Sequence, residues 1–466
     1  TIQPGTQEIV PDIAAKAAFA ADGDYVVTLR RGLTFANGHR LDASDVVFSF
    51  TRQRTIHSAG GPSPLLAGIA SVTASGRRTV EFHLTHPGDP RFPELLTSIA
   101  GTIVDEQTFS ATALTPDAEI VARRSFAGPY TVESLNPGDL LTLAVNPGYR
   151  GGLGRPRNQD ISLKLYDDPA HLATDVAEGT VDIAVGGLAP AQLRSLATTR
   201  SVTTVQEPGG ALHSIVFDQR RMPFGTARPD ADPDLALGIR QALADLIDRA
   251  ALSDDVFAGS FVPVYGYTPA DFPGANPSLR SLYGDLEGDP STSAASTLLA
   301  GINAPVPIPL TIATSPELFG PLTVAEFEEI RLQLEAGGLF EVKIQSFSAA
   351  DFEKKRAAGE FQASQAVWSP TDTDPAAYRS PFRVTDAAIG DGYQSADADA
   401  LLAEQASETD PAARAADLMA LQSVLAADLP TLPILQQNRI AVVANGVTGV
   451  RFDGSPTLRF GSIRRP

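Results

Sequence analysis

Hydrophobic and polar positions alternate between Tyr25 and Leu29, with Tyr25, Val27 and Leu29 on one side and Val26 and Thr28 on the other; a period of two predicts a strand. Asn37-Gly38 follows, the dipeptide that most readily accepts positive φ, so a hairpin-like reversal is predicted there. Asp42 or Ser44 can then cap a helix whose Val46, Val47 and Phe50 repeat at helical spacing. Thr79 to Leu84 alternates again. "YTVESLNPGDLLTLAVNPGYRGG", from Tyr130, predicts two strands around the turn Asn136-Pro137-Gly138-Asp139, and Ile161 to Asp168 predicts another. A helix over Pro169 to Glu178 gives way at Gly179 to "VDIAVGG", which predicts a short buried strand and, with its neighbours, a β-α-β unit.

The pattern is interrupted at "FDQRRMPFGTARPDADPD", polar and rich in proline and glycine, which marks a joint. Beyond it Asp232 and Pro233 open a helix with Leu235, Ile239, Leu243 and Leu246 on one stripe. "IPLTIAT" predicts a strand, Val324 to Ala336 a helix and "FEVKIQSF" a strand, together a second α/β lobe. Thr409-Asp410-Pro411 caps a helix carrying Leu418, Leu421 and Leu425, halted by Pro430. The last thirty residues, with "RIAVVAN", return to strand character and need a sheet to join. The pattern as a whole predicts an α/β chain.

A chain of 466 residues with 43% hydrophobic content buries large cores, and two or three lobes are expected at this length. The net charge of −19 leaves no surplus of cations for phosphate, which argues against nucleic acid. Every apolar run is too short for a bilayer span, and no charged leader with an apolar core precedes Thr1. Absence of cysteine excludes disulfides, thiolate metal sites and cysteine nucleophiles. Catalytic signatures are missing: there is no G-x-S-x-G elbow, and "GGLGRP" lacks the spacing and Lys-Ser/Thr pair of a phosphate loop. His83 and His86, three apart on a predicted strand, face opposite ways and make a poor metal pair. Asp372 and Asp374 have no evident partners for a glycosidase pair or a calcium loop. No catalytic residue, metal or cofactor is expected.

Four segments in fixed order carry a resemblance. Tyr25 to Phe50 looks like "LR-x-G", "F-x-x-G" and "A-x-D-V-x-x-S" in succession, and "AGPYTVESLNPGDLLTLAVNPGYRGG" looks like "GPY", a hairpin and "N-P-x-Y". "IRQALADLIDRAAL" and "DADALLAEQASETDPAARAADLMALQSVLAADLPTLPIL" are the third and fourth. Together the chain resembles the extracellular solute-binding proteins of the peptide, opine and nickel class, family 5, which feed ABC importers. The resemblance implies a periplasmic-binding-protein-like type II fold, two lobes joined by a hinge and closing on a ligand. Residues 1–125 would be a subdomain of lobe one, 126–218 its core, 219–435 lobe two and 436–466 the return to lobe one.

The implied role is that of an extracellular or periplasmic monomer that captures a peptide or similar small solute for a cognate ABC permease. Family members carry roughly fifty residues ahead of the point matching Thr1, in Gram-positive bacteria with a lipidated cysteine, so a truncated chain and a lost lipid anchor are expected. The alternative is a regulatory or envelope binding protein of the same fold that does not serve import. Peptide binders of the family place an aspartate three residues after a tryptophan, where it pairs with the ligand's ammonium; here "WSPTDTDP" puts Thr371 at that place after Trp368, with Asp372 next door and Asp374 in register. Burying an ammonium without a carboxylate costs several kcal/mol, so either Asp372 takes the role after a loop shift or the ligand lacks a free amino terminus. Trp368, a core filler by residue type alone, becomes a candidate ligand wall. Tyr265 and Tyr267 are loop aromatics or cleft residues, and Phe217 to Gln219 a hinge or a ligand contact. Arg379 and Arg383 belong to a solvated face or pair a ligand carboxylate.

Overall fold

The computed structural model describes the whole chain apart from residues 7, 59, 271, 273, 370–391, 409, 453–457 and 466. Its contacts divide into two compact units, Thr1–Val205 with Ala441–Pro466, and Gln206–Ile440. In the first unit β1 (Ala14–Phe19) pairs antiparallel with β2 (Tyr25–Leu29), which buries Tyr25, Val27 and Leu29 as its alternation requires. The Asn37-Gly38 reversal follows with Gly38 at φ 90°. Next, α1 (Ala43–Ile56) starts at a capping box: Asp42 accepts from Ser44 N, and Asp45 accepts from Asp42 N at 2.9 Å. With β3 (Ile69–Ala74) and β4 (Thr79–Leu84) the sheet runs β1-β2-β4-β3. Val46 and Phe50 of α1 join Leu29, Phe35 and Phe82 in its core, Phe50 and Phe82 edge to face at 5.0 Å.

Asp105, fully buried, fastens this region. Its carboxylate accepts from Asn37 Nδ2 at 2.8 Å, Thr108 Oγ1 at 2.7 Å and Gln107 N at 3.0 Å, and lies 2.7 Å from His39 Nδ1. The reversal is thus held from inside as well as by its glycine. His83, weighed above as a metal ligand, is paired instead with Asp24.

A second, three-stranded antiparallel sheet is built from β5 (Tyr130–Asn136), β6 (Leu140–Val145) and β7 (Asp160–Lys164), with Gly138 at φ 81° in the turn. Then α2 (Pro169–Glu178) runs from its cap Asp168 to Gly179 at φ 78°. The β-α-β expectation fails at the next step. The strand β8 (Ile183–Val185) belongs to a different sheet from β7 and pairs antiparallel with residues 441–443. Nor is it a buried strand: Ala184 is covered, but Val185 is 49% exposed.

In the second unit, entered along β9 (Val202–Phe217), Asp232 caps α3 (Pro233–Leu246), which buries Ile239, Leu243 and Leu246. Its further elements include β10 (Phe261–Pro263), β11 (Ile308–Thr314), α4 (Thr323–Glu335), β12 (Phe340–Ser346), β13 (Ala363–Trp368), α5 (Ala396–Ser407), α6 (Pro411–Asp428) and β14 (Thr431–Ala444). Strands run in the order β10-β14-β9-β13-β11-β12. β11 is parallel to both β12 and β13, whereas β13 with β9 and β10 with β14 are antiparallel. Phe217, Ile239, Leu243, Ile312, Phe327, Leu421 and Leu425 are among the residues of one core. Both divisions between the units fall inside strands, β9 and β14, the first of them just ahead of Pro208-Gly209-Gly210.

Burial pushes Asp245 up to about 6, its one described acceptor bond being from Gly284 N at 2.8 Å. A carboxyl whose folded value exceeds its unfolded one opposes folding as pH rises from about 4 through 6, by on the order of 2 kcal/mol once ionised. Asp245→Asn keeps the acceptor and removes the charge. The variant is expected to raise the unfolding midpoint of the second unit at pH 7 and to match the parent at pH 4, which thermal scans at the two pH values check.

Candidate functional site

The register of β13 against β9 sorts the second unit's sheet into two faces. Ala363 pairs with Phe217, Gln365 with Ile215, Val367 with His213 and Trp368 with Leu212. Ile215 and Phe217 lie in the core, so the odd positions of this stretch point inward and Leu212, Ser214 and Val216 point to the other face, with Ser364, Ala366 and Trp368 beside them. There half-buried Trp368 packs against Leu212, Val264 and Phe272. This small apolar wall, flanked by two serines, stands on the opposite side of the sheet from the core.

Thr371, Asp372 and Asp374, with Arg379 and Arg383, lie outside the described residues. Phe217 is fully buried within the unit's own core, so it is a packing residue and not an open face. Gln219 is half-buried just past the end of β9, and its buried Nε2 has no hydrogen-bond partner among the described residues.

Tyr265 and Tyr267 follow β10, and both hydroxyls are committed to main-chain carbonyls. Tyr267, 2% exposed, reaches Leu425 O at 2.8 Å and Thr431 O at 2.7 Å. Tyr265 donates to Gly288 O at 2.9 Å, and the guanidinium carbons of Arg249 and Arg280 lie 4.9 and 5.8 Å from its ring centroid. Gly266 between them is obligatory, because a Cβ there would come within 2.2 Å of Asn276 O. The pair expected at the ligand therefore pins a loop to the core.

Sequence reasoning passed over Arg249 and the pair His213 and Glu326. Arg249 is 3% exposed, its Nη2 donates to Pro433 O at 3.2 Å, and burial pulls it down to about 10. His213 Nδ1 lies 3.2 Å from Glu326 Oε1, both side chains buried on the core face of the sheet. A histidine inside "ALHSIVF" and a glutamate on the buried stripe of α4 were the available signals. Among the described residues no group of three or more His, Cys, Asp or Glu is placed to hold a metal ion, and no helix is long and apolar enough to cross a membrane.

Comparison with known proteins locates this architecture. The sequence matches the family described as bacterial extracellular solute-binding proteins, family 5 (Middle), over residues 8–388. A probable D,D-dipeptide-binding periplasmic protein of Escherichia coli is 22% identical over 462 residues, 96% of this chain and 83% of that protein. The solved structure of HbpA2 from Haemophilus parasuis superposes with a TM-score of 0.83 at 20% identity, covering 100% of this chain and 92% of that one. A dipeptide-binding protein from Pseudoalteromonas sp. SM9913, solved in complex with Met-Leu, gives 0.68 at 18% identity, covering 97% and 90%. At these identities the structures show the fold, periplasmic-binding-protein-like type II.

Proposed function

Since the chain belongs to family 5 of the bacterial extracellular solute-binding proteins, we propose that it is the substrate-binding component of an ABC importer and that its ligand is a peptide or similar small solute. The observation that carries this reading is the family match across most of the chain. Relatives named for dipeptide binding and a structural neighbour holding Met-Leu support the solute class. The apolar wall at Trp368 supplies a surface suited to a ligand side group, and the edges of β-strands suit an extended main chain. In the same reading the protein works as a monomer outside the cytoplasmic membrane, in the periplasm or held by a lipid anchor, and serves a cognate permease. The test is a thermal-shift screen over di- and tripeptides, opines and metal chelates, read alongside the emission of Trp368, the sole tryptophan. A ligand at a hundred times its Kd stabilises by about 2.7 kcal/mol; no stabilisation by any of these solutes would overturn the proposal.

Thr371, Asp372 and Asp374 complete the site in this reading. If the ligand carries a free amino terminus, Asp372 is the carboxylate that answers it, and Asp372→Asn weakens binding by about 10–100-fold, the scale of losing one partner of a desolvated charge pair. Calorimetric titration with a dipeptide and with its N-acetylated form separates the cases. Equal affinity for both forms, unaffected by the substitution, would assign the ligand to a class without an ammonium group.

A further inference from the structure

The loop that packs on Trp368 is anchored away from it, at a cation with no carboxylate partner among the described residues. Arg249 is 3% exposed and makes no ion pair among the described residues; its Nε and Nη2 both point at Pro433 O, at 3.4 and 3.2 Å, and its guanidinium lies over the Tyr265 ring. An aliphatic side chain would fill that space without desolvating a charge, so the guanidinium needs a reason other than packing. Its plane and fork supply one: a flat cation directed at one carbonyl fixes the orientation of an aromatic ring stacked on it, which neither a lysine nor an apolar residue does.

Tyr265 follows Val264 in the chain; the Val264 N–H donates to Ile434 O at 3.1 Å, and the carbonyl of Tyr265 accepts from Leu279 N at 2.9 Å. The chain then passes Gly266 and Tyr267, is caught at Ala270 N by Gln436 Oε1 at 2.8 Å, and delivers Phe272. Val264 and Phe272 are the two residues of this loop that wall Trp368. We infer that Arg249, acting through Tyr265, is a positioning residue for the solute site: it orients residues 264–270 so that Val264 and, beyond them, Phe272 pack against the indole. This rests on the reading of the Trp368 face as the solute site.

The lone indole makes the inference testable without a ligand. In the full chain, acrylamide quenching and the emission maximum of Trp368 are compared for the parent, Arg249→Lys, Tyr265→Ala and Tyr265→Phe, with far-UV circular dichroism confirming the fold. Lysine keeps the charge and loses the fork; phenylalanine keeps the ring and loses only the bond to Gly288 O. Quenching is expected to rise roughly twofold or more in Arg249→Lys and Tyr265→Ala as the wall loosens, with a red-shifted emission, and to stay at the parent value in Tyr265→Phe. Unchanged quenching in folded Arg249→Lys and Tyr265→Ala would overturn the inference, as would Tyr265→Phe behaving like Tyr265→Ala. If Arg249→Lys does not fold, the two Tyr265 variants decide alone. A separate titration of the parent with the dipeptide Met-Leu, followed by the same emission, tests the site reading itself; its failure leaves the ligand-free quenching comparison intact.

Discussion

Asp105→Ala is expected to destabilise the first unit by about 3–5 kcal/mol, because it removes at once a buried charged acceptor that serves the buried Thr108 hydroxyl and the part-buried Asn37 amide and Gln107 N–H. The carboxylate is fully buried and is the acceptor for Asn37 Nδ2, Thr108 Oγ1 and Gln107 N. Asp105→Asn keeps the shape but turns an amide N–H toward groups that are themselves donors, so it is expected to recover little. The pH dependence carries the mechanism. Burial alone would raise the Asp105 carboxyl, but the hydrogen bonds from Asn37, Thr108, His39 and Gln107 N outweigh it and hold the group below the usual carboxylate range. A depressed folded value contributes stability that is complete above the unfolded value of about 4 and is lost as pH falls through the folded value. Denaturant unfolding at pH 7 should therefore show the full gap between parent and Asp105→Ala, and unfolding near pH 3 a narrower one. An equal gap at both would assign the loss to a cavity instead.

That the reversal at Asn37-Gly38 was readable, and its lock was not, illustrates how the information is distributed. The strand Tyr25–Leu29, the helix starting behind Asp42 and the stripe of α3 follow from interactions within a few residues: alternation, a side chain capping an amide two positions on, a 3.6-residue repeat. Asp105 meets Asn37 across sixty-eight positions, and no local pattern announces that contact. Sheet membership is equally non-local. The segment ending in β7 and the one holding β8 read as neighbours around a helix, yet their partners are β6 and residues 441–443. Residue type misleads where burial decides: Tyr265 and Tyr267 stand in a loop of glycines and prolines that reads as exposed, but Gly266 lets the main chain approach Asn276 O and carries both rings inward. Of the face around Trp368, only the indole itself was legible, through its motif; Leu212, Val264 and Phe272 reach it by register and loop path.

The two aromatic side chains on either side of that sheet should respond oppositely to truncation. Phe217 is fully buried in the second unit's core, so Phe217→Ala opens a cavity and is expected to cost about 3–5 kcal/mol, the range for large core aromatics. For a unit of this size each kcal/mol moves the midpoint by about 2–4 °C, which places the loss near roughly 10 °C. Trp368 is half-buried in a cluster of four residues, and removing it is expected to cost about 1–2 kcal/mol of stability, in proportion to the smaller apolar area it withdraws from water. With a stabilising solute the order reverses. Phe217→Ala, assayed well below its midpoint, retains the parent's affinity, because the cavity lies on the core side of β9 while the proposed solute face lies on the other. Trp368→Ala loses the affinity the indole supplied, by a factor of about 10 or more for a large apolar contact. Calorimetric titration of both variants with the same solute, beside their melting curves, reads the two effects separately. Parallel losses of stability and affinity in both variants would mean that the sheet does not divide the work between its faces, and that Trp368 is a core residue like Phe217.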